Sequence, residues 1–182
     1  MDPNELETLA RPEVDPTAFV APSADLVGDV WVGPEASVWY GCVLRGDIAP
    51  IRIGAWTNIQ DLTVVHVDVD QPTLVGERVG IGHRAIIHGC TIEDDCLIGM
   101  GSIVLSGAVI GRGSLVAAGA VVTEGTRVPP GSLVVGVPGR VVRPVDERLR
   151  SRMERTVNHY RALKEGHRNG RWLGVPEARG VD

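Results

Sequence analysis

The sequence predicts an all-β fold, a parallel β-helix of hexapeptide repeats with a C-terminal α-helix. Three observations predict it. An aliphatic residue recurs every six positions from Val20 to Val134. That period belongs neither to an α-helix nor to a plain alternating strand. Glycine is abundant at 23 residues while Phe occurs once, which suits an aliphatic core built from small stacked units. After Pro144 the spacing changes to that of an amphipathic helix.

Residues 1–16 (MDPNELETLARPEVDP) are polar with three prolines and predict an extended arm or loosely docked start. The β-helix is expected over 17–143. Its aliphatic positions begin at Val20, Leu26, Val32, Val38 and Leu44. The phase slips by three at Ala49-Pro50 and resumes at Ile53, Ile59 and Val65. After the polar insert Asp68-Val69-Asp70-Gln71-Pro72-Thr73 it continues at Val75, Ile81 and Ile87. A five-residue step leads to Ile92, and from there the period holds through Ile98, Val104, Ile110, Val116, Val122, Val128 and Val134. Each unit reads as a short strand and a corner. Three units make a triangular coil of about 18 residues, and successive coils pair as parallel strands about 4.8 Å apart. The small residue after the inward one, as in Val32-Gly33, is expected to serve the corner.

Residues 144–182 predict a helix and a tail. Leu149, Met153, Val157, Tyr160 and Leu163 form its apolar stripe. Asp146 and Glu147 suit its start and Gly166 its stop, with a tail from His167. The helix is expected to pack along one flat face of the prism.

The chain has 182 residues, enough for one domain with a sizeable core. Its 18 basic and 23 acidic residues give a net charge of −5, which argues against a nucleic-acid partner. From Arg143 onward there are 10 basic and 6 acidic residues, net +4, against 8 and 17, net −9, before it. A basic tail lying on an acidic body is preferred to a membrane-binding one. No apolar run approaches the ~18 residues of a membrane span. The acidic start without an apolar stretch predicts no signal peptide. Three cysteines, Cys42, Cys90 and Cys96, make no disulfide framework. The setting expected is reducing and cytoplasmic.

The stretch Val65–Cys90 holds His66, His83 and His88. His66 follows inward Val65 and His88 follows inward Ile87. They are 22 residues apart, one coil plus the four-residue surplus of the insert. Both are therefore expected on one edge, one coil apart and about 5 Å from each other. Two outward imidazoles at that separation can share a metal ion. His83 follows Ile81 by two places, on a neighbouring face or corner. It cannot easily reach such an ion within one chain but could do so from a second chain packed against this edge, an arrangement that closes naturally as a trimer. Polar corner residues are common, however, and hexapeptide acyltransferases use one histidine as general base, so spacing leaves both readings open. His159 and His167 read as solvated or packing residues.

The motifs Ser37-Val38-Trp39, Val43-Leu44-Arg45-Gly46-Asp47, Ile53-Gly54 and Thr57-Asn58-Ile59-Gln60-Asp61 extend the pattern. It continues through His66, Ile81-Gly82-His83, Ile87-His88-Gly89-Cys90 and Ile98-Gly99-Met100-Gly101. In these segments, over roughly residues 17–140, the chain resembles the γ-class carbonic anhydrase family. The resemblance implies a left-handed coil. It also implies a homotrimer in which His66 and His88 of one subunit and His83 of the next bind one ion, zinc by default, with iron or cobalt as the family's alternatives. It implies reversible hydration of carbon dioxide to bicarbonate by metal-bound hydroxide. Gln60 would orient the bound water or bicarbonate and Asn58 would line the pocket. Arg45, Asp47 and Asp61 would form a charged interface network, either structural or catalytic. Tyr160 corresponds weakly to an aromatic residue that the family's helix sends toward the site, since it also fits the packing stripe.

The chain departs from the archetypal family member in two places. Ile48 stands after Asp47 where that member has a glutamate, and the insert between His66 and His83 is short, its acids being Asp68, Asp70 and Glu77. The family's long acidic loop carries a glutamate proposed to shuttle protons. Asp68 or Asp70 could substitute, and hydration is expected to be limited by proton transfer. The alternatives are a metal-dependent thioesterase on the same scaffold and a non-catalytic trimeric scaffold subunit. A hexapeptide acetyltransferase is disfavoured, because that chemistry has no role for Asn58-Ile59-Gln60-Asp61 and three histidines.

Overall fold

The structure is a computed structural model that describes residues 10–171. It is a three-faced prism of parallel strands with one helix laid along it. Seven parallel strands stack on one face: Phe19–Val20, Ser37–Val38, Asn58–Ile59, Gly80–Ile81, Leu97–Ile98, Leu115–Val116 and Ser132–Val135. The second face carries the start of Asp25–Val32 and of Val43–Ile53, then Val64–His66, Ile86–His88, Ile103–Val104 and Val121–Val122. The third carries the ends of those two long strands, then Thr73–Val75, Thr91–Ile92, Val109–Ile110 and Arg127–Val128. An antiparallel strand, Arg140–Pro144, closes the last coil.

The aliphatic period becomes columns of stacked side chains. On the second face Leu44, Val65, Ile87, Val104 and Val122 pair in register and all have zero exposure. No coil could bury these residues alone, so stacking is what creates the core. The glycine after the inward residue has a different role from the one expected. A Cβ on Gly99 would lie 2.3 Å from Ala118 N of the next coil, and one on Gly54 would lie 2.4 Å from Gly76 backbone atoms. It is coil-to-coil approach that excludes a side chain there. The left-handed backbone comes two residues later, at Gly101 (φ 66°) and, unusually for non-glycine residues, at Trp56 (φ 63°).

The three irregularities of the period have structural counterparts. Three extra residues follow Gly46, because Gly28 pairs with Gly46 but Val30 pairs with Ile51. The insert after Val67 folds back on itself through an Asp68–Gln71 bridge. The five-residue step turns at Gly89 (φ 52°).

The helix runs Glu147–Arg168, with Asp146 as its cap, accepting from Leu149 N at 2.9 Å. Met153 and Val157 are buried against the first face, and Tyr160 and Leu163 pack on Phe19 and Trp39. Lys164 is buried and pairs with Glu35, while the Arg161 guanidinium stacks on Trp56 at 3.7 Å. Two terminal expectations are corrected. The helix passes through Gly166, because its final turn still packs on the prism: His167 sits edge-on to Trp39, centroids 4.9 Å apart, and its Nδ1 meets Tyr40 Oη at 2.9 Å. In the expected N-terminal arm, Glu13–Val14 pairs with Trp31–Val32 and so begins the third face. Residues 1–9 and 172–182 lie outside the described residues.

Ile87→Ala is expected to cost about 2–5 kcal/mol, because it opens a void inside a closed column. Ile87→Val should cost only about 0.5–1.5 kcal/mol, and urea midpoints will separate the two.

Candidate metal centre

His66 and His88 are paired residues on neighbouring strands of the second face. Their 22-residue separation is the coil lengthened by the insert, so the register places one ring above the other. His66 Nδ1 lies 3.1 Å from His88 Nε2. Two nitrogens bound to one tetrahedral zinc, each about 2.05 Å away, would be about 3.3 Å apart. The pair is therefore spaced almost as two ligands of one ion.

The outer nitrogens are held as well. His66 Nε2 meets Asp47 Oδ1 at 3.2 Å, and His88 Nδ1 meets Ser106 Oγ at 2.9 Å. A carboxylate can only accept, so the Asp47 contact puts a proton on His66 Nε2, and in the neutral ring that leaves the lone pair on Nδ1. The inner nitrogens then face each other with a cation, proton or metal, as the natural occupant between them. Outer-nitrogen partners of this kind orient ligating imidazoles in metal sites.

Asp47 reaches His66 because it lies among the three extra residues, where the chain leaves the regular strand. Arg45, half exposed, pairs with Asp47. Burial works against ionisation of the Asp47 carboxyl, but hydrogen bonds from Arg45 and His66 hold it below its ordinary value.

His83 belongs to a second group. Its Nδ1 meets Asp61 Oδ2 at 2.9 Å and its Nε2 meets Tyr160 Oη at 3.1 Å. Asp61 Oδ1 also accepts from Tyr40 N at 3.2 Å. Burial, then the Asp61 charge, push the Tyr160 phenol up to about 12. Among the described residues, no group of three or more His, Cys, Asp and Glu side chains within one chain is placed to hold an ion.

Asn58 and Gln60 lie buried in the first face, and Gln60 Nε2 donates to Asn58 Oδ1 at 3.0 Å. Of the charged trio, Arg45 and Asp47 are together, while Asp61 is with His83. The cysteines are buried and unpaired, and burial pushes Cys42 up to about 11 and Cys90 and Cys96 to about 12. Their thiols stay neutral. Ser106 and Tyr40 were not picked out from the sequence. Coil counting would have found Tyr40, which lies 21 residues before Asp61 in a coil whose strands pair at that offset, and would have placed Ser106 one residue past the partner of His88.

Comparison with known proteins places the chain. Residues 89–124 match the family model described as bacterial transferase hexapeptide (six repeats). Gamma carbonic anhydrase 1, mitochondrial, of Arabidopsis thaliana is 43% identical over 174 residues, covering 91% of this chain and 63% of that relative. A probable carbonic anhydrase of Methanocaldococcus jannaschii is 52% identical over 146 residues, covering 80% of this chain and 92% of that relative. The chain belongs to the γ-class carbonic anhydrase family. It spans less than two thirds of the plant member's length. The crystal structure of a hexapeptide transferase family protein from Anaplasma phagocytophilum aligns with a TM-score of 0.83 at 44% identity, over 86% of this chain and 92% of that one. In this family member the histidines thus form a stacked pair on one face and a single residue at a corner.

Asp47, held below its ordinary carboxyl value, stabilises the fold above its unfolded pKa of about 3.9. That contribution is lost as pH falls through the lower folded value. Asp47→Asn should therefore flatten the acid limb of stability, read as urea midpoints from neutral pH downward.

Proposed function

We propose that this chain is a γ-class carbonic anhydrase that converts carbon dioxide and water reversibly to bicarbonate at metal centres shared between subunits of a homotrimer. The observation that carries the reading is the His66–His88 pair, with inner nitrogens 3.1 Å apart and both outer nitrogens engaged. Two imidazoles are too few for a closed site, and His83 of the same chain is turned to Asp61 and Tyr160. A neighbouring subunit's copy of that residue would be the third ligand. Its Nδ1 is held by Asp61, so Nε2 would ligate once the Tyr160 hydroxyl yields.

A surface for that neighbour lies beside the pair. Val43, Val64, Ile86, Ile103 and Val121 point outward in one row on the second face, and Val64 and Ile86 are exposed. The first face is covered by the helix, whereas among the described residues no helix or strand is laid over this aliphatic row. A second copy, bringing His83, is the occupant that would also complete the site.

His66, His88 and a neighbouring subunit's copy of His83 would hold a zinc ion as three neutral imidazoles, and such an ion would lower the pKa of water to about 7, the chemistry that carbon dioxide hydration requires. The chain's own groups do the rest. Gln60, fixed by Asn58, would orient the attacking oxygen or the bicarbonate. Arg45 offers a planar fork suited to the bicarbonate anion, and Asp47 holds the His66 ring. Neutral cysteine thiols would not compete for the ion.

Purified protein is expected to sediment as a trimer with about one zinc or ferrous ion per subunit. His83→Ala should lose both the ion and carbon dioxide hydration measured by stopped flow. A monomer that keeps its metal would overturn the shared site. Metal-loaded wild type that lacks hydration but cleaves acyl-CoA would favour the hydrolase.

Ile48 is exposed where the archetypal member has a glutamate, so no carboxylate at that position can carry the proton away. Added imidazole buffer should raise turnover several-fold while leaving KM little changed; a rate independent of buffer would contradict a proton-transfer limit.

A further inference from the structure

His88 is held from behind by two residues that arrive from separate parts of the chain. Asp68 lies in the insert after Val67, and Ser106 lies one coil below His88. His88 Nδ1 meets Ser106 Oγ at 2.9 Å, and Ser106 Oγ donates to Asp68 Oδ2 at 3.3 Å. The other carboxylate oxygen, Oδ1, accepts from Val69 N at 2.9 Å. Gly89 leaves room for this meeting, because a Cβ there would lie 3.1 Å from Ser106 Oγ and 3.5 Å from Asp68 Cβ.

The direction of the chain of hydrogen bonds follows from the number of protons. A hydroxyl has one proton, and an ionised carboxylate has none to offer. Asp68 therefore accepts the hydrogen bond from the Ser106 hydroxyl, and the Ser106 oxygen is left only to accept from His88. That places the imidazole proton on Nδ1 and the lone pair on Nε2. Nε2 is the atom 3.1 Å from His66 Nδ1.

We propose that Asp68 and Ser106 are positioning residues that lock His88 in the Nδ1–H tautomer and so present its Nε2 lone pair to the shared metal ion. The purpose of the lock rests on the metal-centre reading above; the tautomer itself does not. Asp68, a candidate proton shuttle by position, has both oxygens engaged and acts through orientation instead. The insert then has a definite role. It lengthens one coil enough to bring a carboxylate over the corner residue of a later coil.

The polarity of the relay makes a sharp test. In Asp68→Asn the amide oxygen stays with Val69 N, so the NH2 group, a donor, faces Ser106 Oγ. The hydroxyl proton is then free to point at His88 Nδ1, which drives the ring proton to Nε2. Long-range proton–nitrogen correlation spectra of metal-free, 15N-histidine-labelled protein in mildly alkaline buffer read this directly. Wild type is expected to show His88 as Nδ1–H, Asp68→Asn as Nε2–H, and Ser106→Ala as a mixture. Zinc affinity, measured by chelator competition, should fall about 10–100-fold in both variants. His88 as Nε2–H in wild type, or unchanged in Asp68→Asn, would overturn the lock whatever the zinc result. Zinc affinity equal to wild type in a variant whose tautomer has changed would overturn the link to the metal. A wild-type chain with Nδ1–H His88 that binds neither zinc nor ferrous nor cobalt ions would support the lock and overturn the metal-centre reading.

Discussion

One constraint governs this molecule: a six-residue unit cannot bury its own aliphatic side chain, so every coil needs another above and below it. The columns of Val, Ile and Leu with zero exposure are the result. Coil spacing follows from strand pairing, and it is tight enough that Gly54 and Gly99 have no room for a Cβ. The helix answers to the same constraint from outside. It covers the first face with Met153 and Val157 and is pinned by Lys164, Glu35 and the aromatic cluster around Trp39.

The chemistry gathers where the repeat is broken. The three extra residues after Gly46 carry Asp47 out to His66. The insert brings Asp68 to Ser106, and the short step at Gly89 turns the chain beside them. A perfect six-residue period offers only corners and columns. Each departure moves a polar side chain off the regular lattice while the stacked core holds its surroundings still. The two histidine groups also differ in electrostatic setting. Asp47, Ser106 and Asp68 hold the stacked pair from behind, whereas Asp61 and Tyr160 hold the corner residue.

Much of this was legible in the chain. Period counting located all three irregularities, and the register of His66 with His88 followed from 22 residues being a coil plus four. The helix stripe and its cap at Asp146 were also readable. The end of the helix was not, because Gly166 is a local stop signal overridden by the packing of His167 on Trp39 and Tyr40. The glycines after inward residues were readable as special positions, but their reason, contact with the next coil, is not a local property.

The sequence by itself determined the coil, the columns, the covering helix and which histidines share an edge. All of these depend on spacing along one chain and on burial of aliphatic residues. Only the tertiary structure decided which partner each ring nitrogen takes. Asp47, Asp61, Ser106, Tyr160 and Asp68 come from different coils or from the helix, and a contact of about 3 Å depends on side-chain direction, which periodicity does not carry.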